Sequence, residues 1–533
     1  MSSDNKPRLV PNLMVVLFLL AHLAVLIWLQ VSDGAGDTGM NNVFSYMAVM
    51  MIAAVYGIWF LGFSGQSTRV RGGVVLGVVV LLLGVRSTVV VENWSGSMVP
   101  RWHWSWDSKE TVSLESGAVA AQAGVDLLTT TPADFPGFQG PLRDGTVPGV
   151  KLDTDWIAHA PEQLWKVPVG FGWSGFAVVN GVALTHEQRG AEQLVVARSL
   201  EDGSELWRFA TDSSMDHMLG GKGPHATPQV HEGRVYAQDT AGVLVCLDGA
   251  TGALLWERDL SKEYGMTPEL EEEFIQYGRS SSPLIVGDLC IVPVGGNPEV
   301  QQAGLVAFDR LSGGLRWEGP ARQVSHASPN YAVLAGTPQI LVLNEDTISA
   351  HVPYTGVLLW EHPWKAKTAA DPNNSSPLPV GEDMVLITKG YGLGSSLLQL
   401  TTRQDGSLSV EALWSSRRSL RTKFTNAVVR GEHAYALSDG ILECVSMADG
   451  KRVWKDGRYG HGQMLLVGEH LLLLSEEGEL LIIAATPEEE NQVLARMQAL
   501  EGTTWNTFAL YGDIVVLRNG VEAGAWRLPV LAN

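Results

Sequence analysis

The sequence predicts an all-β fold, an eight-bladed β-propeller, preceded by an α-helical membrane anchor of three spans. Three observations lead there. A strand–turn–strand unit ending in tryptophan recurs along the chain, the first ninety residues hold three long apolar runs, and the final hairpins lack an outer strand that an upstream tryptophan segment would supply.

The repeat is clearest in VLVCLDGATGALLW, Val243 to Trp256. Leu244 to Leu247 are apolar and extended, Asp248, Gly249, Thr251 and Gly252 are turn-forming types, and Leu254 to Trp256 run back. Related units end at Trp207, Trp317, Trp360, Trp414 and Trp454, and successive tryptophans from Trp207 onward stand 49, 61, 43, 54 and 40 residues apart. Such spacing spans one four-stranded blade with its loops. A single blade cannot bury both faces, so a large indole on each outer strand is expected to pack on the next blade. Trp165, Trp207, Trp256, Trp317, Trp360, Trp414 and Trp454 are therefore read as structural.

Trp165 stands upstream in PEQLWKVPV without a blade of its own, whereas TFALYGDIVVLRNG and GAWRLPVL supply strands with no outer strand after them. A strand near residues 163–168 then completes the last sheet and closes the ring. With a degenerate unit at Val493 to Gln498, where the Trp is missing, the count is eight blades of about 46 residues each. The propeller is placed at 134–533, after a membrane domain at 1–91 and a linker or interfacial segment at 92–133.

Leu9 to Val31, Val43 to Phe63 and Gly72 to Val91 are each long enough to cross a hydrocarbon core of about 30 Å. Lys6 and Arg8 precede the first run, and Arg69 and Arg71 separate the second from the third. The connection between the first and second runs, Ser32 to Asn42, carries only Asp33 and Asp37. The positive-inside rule then makes the N-terminus cytoplasmic and the propeller extracytoplasmic, periplasmic for a bacterial inner membrane. His22 in the first run is expected to hydrogen-bond between helices or to contact a quinone or haem. Arg86 is expected to snorkel, and Gly73, Gly77 and Gly84 to permit close helix packing. RWHWSW, Arg101 to Trp106, suits either a membrane interface or a strand packed on the propeller. Glu115 to Leu128 is Ala-rich and suits a short helix.

A net charge of −20 argues against a nucleic-acid partner, which requires a basic surface. Cys246, Cys290 and Cys444 lie in apolar runs without metal-ligand or haem-attachment spacing, and are read as core residues.

DFPGFQGPLRDG, Asp134 to Gly145, resembles the DWPxFRGPxRDG entry sequence of bacterial pyrroloquinoline quinone (PQQ) repeat propellers, and the blade turns resemble their AxDxxTGxxxW repeat. RYGHGQ, SEEGEL and EGTTWN further resemble a group of membrane-anchored bacterial PQQ-repeat proteins. The resemblance covers roughly Asp134 to Pro529. It implies the quinoprotein alcohol dehydrogenase-like superfamily, which holds both PQQ-dependent dehydrogenases and non-enzymatic envelope lipoproteins, so the chemistry has to be read from the site.

In a propeller the polar residues heading each inner strand line the channel. Those heads supply Trp173, Ser174, His225, Thr227, Arg279, Ser281, His326, Ser328, Asn374, Ser375, Lys423, Asn426, Arg458, His461, Gln463, Trp505 and Asn506. PQQ, a planar tricarboxylate, could pair with Arg279, Lys423 and Arg458 beside His461, while Trp173 or Trp505 stacked on it. The competing expectation is a hydrated channel whose side chains satisfy one another. None of the heads contains Asp or Glu, which disfavours a calcium site and an acidic catalytic base; only loop carboxylates such as Asp371 could reach inward. The sequence therefore favours a membrane-tethered binding or scaffolding module with an envelope protein partner. The alternative is a PQQ-dependent dehydrogenase passing electrons from a periplasmic alcohol or sugar to membrane quinone.

Overall fold

The computed structural model describes residues 9–31, 37–107, 114–121, 124–295, 303–365 and 372–531, with side chains of the first helix described for 15–28. Lys6, Arg8, Asp33 and Asp371 lie outside the described residues. The chain divides into two compact units, Met1–Thr111 and Val112–Asn533. The expected linker is thereby split between the two.

The first unit holds helices α1 (Leu9–Val31), α2 (Thr38–Phe63) and α3 (Thr68–Thr88) and a hairpin, Val89–Trp94 with Pro100–Trp104. Asp37 and Ser67 cap α2 and α3 by accepting from Met40 N and Val70 N. Among the described residues two helices, α2 and α3, are long and apolar enough to span a bilayer, against the three expected. In α1, which runs Leu9–Val31, the apolar stretch with described side chains is Val15–Trp28. His22 Nδ1 lies 2.9 Å from Phe18 O of its own helix, and the two rings are 3.9 Å apart, so one ring nitrogen is engaged locally. A Cβ built on Gly73, Gly77 or Gly84 would meet nothing within 4 Å, so the small-residue stripe serves no described packing.

The second unit is an eight-bladed propeller of antiparallel meanders. Blade 1 starts at the inner strand Ala177–Val179, and the following blades start at Gln229–His231, Leu284–Val286, Asn330–Leu334, Leu378–Val380, Val428–Arg430, Gln463–Val467 and Ala509–Tyr511. The closing strand is the one expected. Glu162–Pro168 pairs with Glu522–Arg527 as the outer strand of blade 8, so the two ends of the propeller share one sheet. Val493–Gln498 is the outer strand of blade 7, in the place where the repeat lacks its tryptophan.

The repeated tryptophan and the repeated turn glycine serve the same contact. Trp165, Trp207, Trp256, Trp317 and Trp414 donate Nε1–H to a turn carbonyl of the next blade, at Leu200, Gly249, Arg310, Pro353 and Met447. Each indole lies against a left-handed glycine of that turn, respectively Gly203, Gly252, Gly313, Gly356 and Gly450. At Gly252 (φ +74°) a Cβ would come within 2.7 Å of Trp207, so both the conformation and the space require glycine. Trp454 similarly reaches Thr486 O. Trp360 differs, donating to Gln339 Oε1 within its own blade. The facing strands of blade 5, Gly394–Thr402 and Leu408–Ser416, are nine residues long, and nothing lies within 4 Å of a Cβ on their turn glycine Gly406.

The Ala-rich segment forms no described helix. Val119 pairs with Arg208 on the edge of blade 1, and Ala121 N and Val125 N donate to Thr251 O and Ala250 O, so its backbone is used in sheet and turn contacts rather than i to i+4 bonds. Leu127 anchors it in the core between blades 1 and 2.

DFPGFQGPLRDG runs inside the ring. Phe135 pairs with Val178 of blade 1, Val230 N of blade 2 donates to Pro136 O, and Arg143 donates to Ser282 O and Pro283 O at blade 3. Asn330 of blade 4 donates to Arg143 O, and Thr146–Val147 adds a parallel strand inside blade 7. One short segment bonded to five inner strands must cross the axis. It plugs the ring, bonded along the inner strands at Val178, Val230 and Leu466–Val467 and reaching residues at the strand heads at Ser282, Pro283 and Asn330.

Candidate functional site at the head end of the channel

The heads of the inner strands form a closed circuit of hydrogen bonds. Gly175 N donates to Thr227 Oγ1 at 3.0 Å, Thr227 N to Ser282 Oγ at 2.9 Å, and Ser282 N to Ser328 Oγ at 2.9 Å. Asn330 Nδ2 then donates to Pro377 O, and Ser376 N to Asn426 Oδ1. Gln463 Nε2 bridges Phe424 O and Trp505 O, and Asn506 Nδ2 returns to Gly172 O and Ser174 O of blade 1. All eight blade junctions are joined. Ser281 and Ser375 add bonds to Ala327 O and Thr425 O. Ser174, Thr227, Ser281, Ser328, Ser375, Asn426, Gln463 and Asn506 thus hold the ring together.

What remains at the mouth is largely aromatic. Trp173 of blade 1 and Trp505 of blade 8 have ring centroids 4.8 Å apart, Phe424 lies 4.9 Å from Trp505, and His461 lies 5.2 Å from Phe424. A second arc runs His217, Tyr277, His326, with centroid separations of 5.1 and 5.6 Å. Lys423 Nζ sits 5.8 Å from the Tyr391 ring centroid and 3.8 Å from Asp439 Oδ1. Trp173, Tyr277, His326, Tyr391, Phe424 and Trp505 are half-buried, as groups facing a channel opening should be.

Glu476 is the carboxylate that the inner-strand heads lack. It is buried, accepts from His461 N at 2.9 Å with Oε2 and from Trp505 Nε1 at 3.0 Å with Oε1, and so ties blade 7 to blade 8. Glu476, Asp439 and Tyr391 lie in turns after second strands, which end where first strands begin. Applying the meander geometry to SEEGEL and its counterparts would have found them.

The six residues expected to receive PQQ do not converge. Trp173 and Trp505 are half-buried, with Phe424 and then the buried His461 beside Trp505, and Lys423 is buried against Asp439, but Arg279 is committed to Glu271, with Nη2 2.7 Å from Oε1, and to Val294 O. Arg458 ends the outer strand of blade 6, paired with Ile441 and exposed, which corrects its placement as a funnel residue. That strand runs Arg452–Arg458, past Trp454. Trp173 and Trp505 contact each other directly and do not bracket a planar slot. The donor set therefore does not fit a tricarboxylate held by three cations. Among the described residues, no three His, Cys, Asp or Glu side chains are grouped as metal ligands.

Burial holds His225 down to about 4 and His326 to about 3. His225 Nε2 lies 3.0 Å from Gly220 O, and His326 Nδ1 lies 2.7 Å from Ser280 Oγ. Folded-state values below the ordinary 6.5 mean that the unfolded chain takes the proton first, so stability falls as pH drops below about 6.5. The unfolding midpoint is expected to fall between about pH 7 and pH 5, above the range in which carboxylates titrate, and to fall less in His225→Gln and His326→Gln proteins. Equal slopes in all three proteins would contradict this assignment.

The family model described as outer membrane protein assembly factor BamB matches residues 162–456, more than half of the chain. Quinohemoprotein alcohol dehydrogenase ADHIIG from Pseudomonas putida HK5 is similar in structure at 12% identity and TM-score 0.51, covering 75% of this chain and 81% of its own. The quinohemoprotein alcohol dehydrogenase from Comamonas testosteroni gives 11% and 0.51, covering 76% and 83%. BamB from Moraxella catarrhalis gives 16% and 0.48, covering 69% and 100%. No curated protein matches the chain. At these identities the solved structures establish the fold alone. By the family match and the repeat architecture together, this chain belongs to the BamB family of PQQ-repeat β-propellers.

Proposed function

We propose that the chain is a membrane-tethered, extracytoplasmic binding or scaffolding module that receives an envelope protein at the head end of its plugged channel. The closed circuit of inner-strand hydrogen bonds is the observation that carries this reading. It uses polar groups of every inner-strand head to join the blades, and half-buried aromatic rings stand beside them, a residue type enriched in protein interfaces. The family description, an assembly factor, agrees with a protein-binding role. The apolar helices α2 and α3 support the tether, and Arg69 and Arg71 between them favour a cytoplasmic connection with the propeller on the other side.

A photo-crosslinking residue at Tyr277, on the head-end rim, is expected to give a discrete protein adduct in cells. The same residue at exposed Tyr354, in a tail-end turn of blade 4, is expected to give none. No adduct at Tyr277, or the same adduct from both positions, would contradict the reading.

The second reading is a PQQ-dependent dehydrogenase that passes electrons to membrane quinone. Glu476 favours it, as a buried carboxylate at the channel mouth. Arg279 and Arg458 oppose it, one paired and the other outside the channel.

A further inference from the structure

The hairpin that follows α3 has two chemically different faces. Val89 pairs with Trp104, Val91 with Trp102 and Val90 with His103, and a bulge at Glu92 precedes the pairing of Asn93 with Arg101. Directly opposed residues share a face and neighbours along a strand alternate. One face therefore carries Val89, Val91, Trp102 and Trp104, and the other carries Val90, His103, Asn93 and Arg101. Trp106 extends the first face, its ring 5.0 Å from Trp104 and nearly parallel, while Trp102 meets Trp104 edge-on at 5.3 Å. The ladder is bare within its own unit, with Val91 51%, Trp102 53%, Trp104 40% and Trp106 64% exposed.

Its position relative to α3 identifies what covers it. The strand begins at Val89, the residue after the helix ends at Thr88, so no linker separates them. The 21 residues of α3 extend about 31 Å, the thickness of the hydrocarbon core, with Arg69 and Arg71 at one end. The Val89–Trp104 rung then falls at the opposite boundary, where indoles with an apolar body and a polar N–H are most favourably placed. Asn42 Nδ2 and Tyr46 Oη, both in the first turns of α2, donate to Ser97 O and Met98 O of the hairpin tip. The hairpin is thereby held across the ends of two apolar helices. Resting on the tethered reading above, we infer that the Trp102–Trp104–Trp106 face lies in the headgroup region of the outer leaflet and fixes the depth of the anchor in lipid.

Full-length protein in liposomes tests this with an environment-sensitive fluorophore on single introduced cysteines. The native Cys246, Cys290 and Cys444 are buried and do not compete for labelling. Val91→Cys reports the ladder, Leu82→Cys the exposed apolar face within α3, and Leu311→Cys an exposed propeller turn. The label at position 91 is expected to be quenched about twofold more by lipids carrying a nitroxide near the acyl carbonyl than by lipids carrying it at the chain terminus, and the label at 82 the reverse. The label at 311 should respond only to aqueous iodide. If the label at 82 is quenched by chain-terminal nitroxide while that at 91 responds to iodide, or to neither quencher because protein covers it, the ladder inference fails alone. If the label at 82 shows no lipid quenching, the tether itself fails.

Discussion

Replacing Trp207 by alanine is expected to cost about 3–5 kcal/mol, among the largest effects of any single substitution in the propeller. The indole is 1% exposed, fills the core between blades 1 and 2, and donates to Gly249 O at 3.0 Å. Its removal opens a cavity that the left-handed turn at Gly252 cannot fill, and leaves the Gly249 carbonyl without its indole donor. Thermal unfolding followed by circular dichroism should show a midpoint several degrees lower. Leu311→Ala, at an exposed turn position, should move it little. Equal midpoints for the two variants would overturn the docking role assigned to the tryptophan series.

The second large effect is expected at the closure between blades 8 and 1. Arg518 is fully buried and donates to Thr185 Oγ1, His186 O, Gly170 O and Gly172 O, with Glu187 Oε2 at 4.0 Å. Burial lowers the guanidinium to about 10, so it remains charged at neutral pH. Arg518→Met keeps the stem but takes the guanidinium donor from all four acceptors, of which Gly172 O retains Asn506 Nδ2, and removes one cation from a cluster in which Arg189 and Arg198 also face Glu187. Losing one member of such a buried network costs about 3–5 kcal/mol. The destabilisation should appear as faster proteolysis in blade 8, since these bonds close the ring. Adding Glu187→Gln should cost less in the Arg518→Met background than in the native protein, because the two groups belong to one network. Strict additivity would contradict the coupling.

The fold was legible because its main devices are local and repeated. A turn glycine, a tryptophan a few residues later and an apolar strand before it mark each blade, and the orphan strand around Trp165 marks the closure. Trp360 shows the limit of that reading. Its repeat is complete, but the long strands of blade 5 take away the turn on which it would dock, and strand length is not written in the motif. Glu115 to Leu128 misled for a different reason. Its composition suits a helix, while an open sheet edge and the turn at Ala250–Thr251 take up its backbone bonds.

The site was less legible than the fold because depth in the channel depends on strand register and on turns, not on residue type. Gln463 and Asn506 were placed at strand heads but not recognised as clamps between blades, since their partners are carbonyls 39 to 334 positions away. Arg458 was misplaced because the outer strand of blade 6 continues past Trp454 to the head end. Glu476 was missed because it follows a second strand. Arg143, near the end of DFPGFQGPLRDG, is the buried cation that fastens the plug to blade 3, held to about 10 by burial.

The account rests on a head end whose inner-strand polar groups bridge all eight blade junctions. Titration of PQQ into the purified full-length protein, with and without calcium, monitored by tryptophan fluorescence and calorimetry, tests it most directly. Trp173 and Trp505 would report any ligand entering the mouth. The account predicts no saturable binding under conditions in which an authentic quinoprotein reconstitutes. Binding of one PQQ per chain, abolished by Lys423→Ala, would contradict it and make the dehydrogenase the better reading.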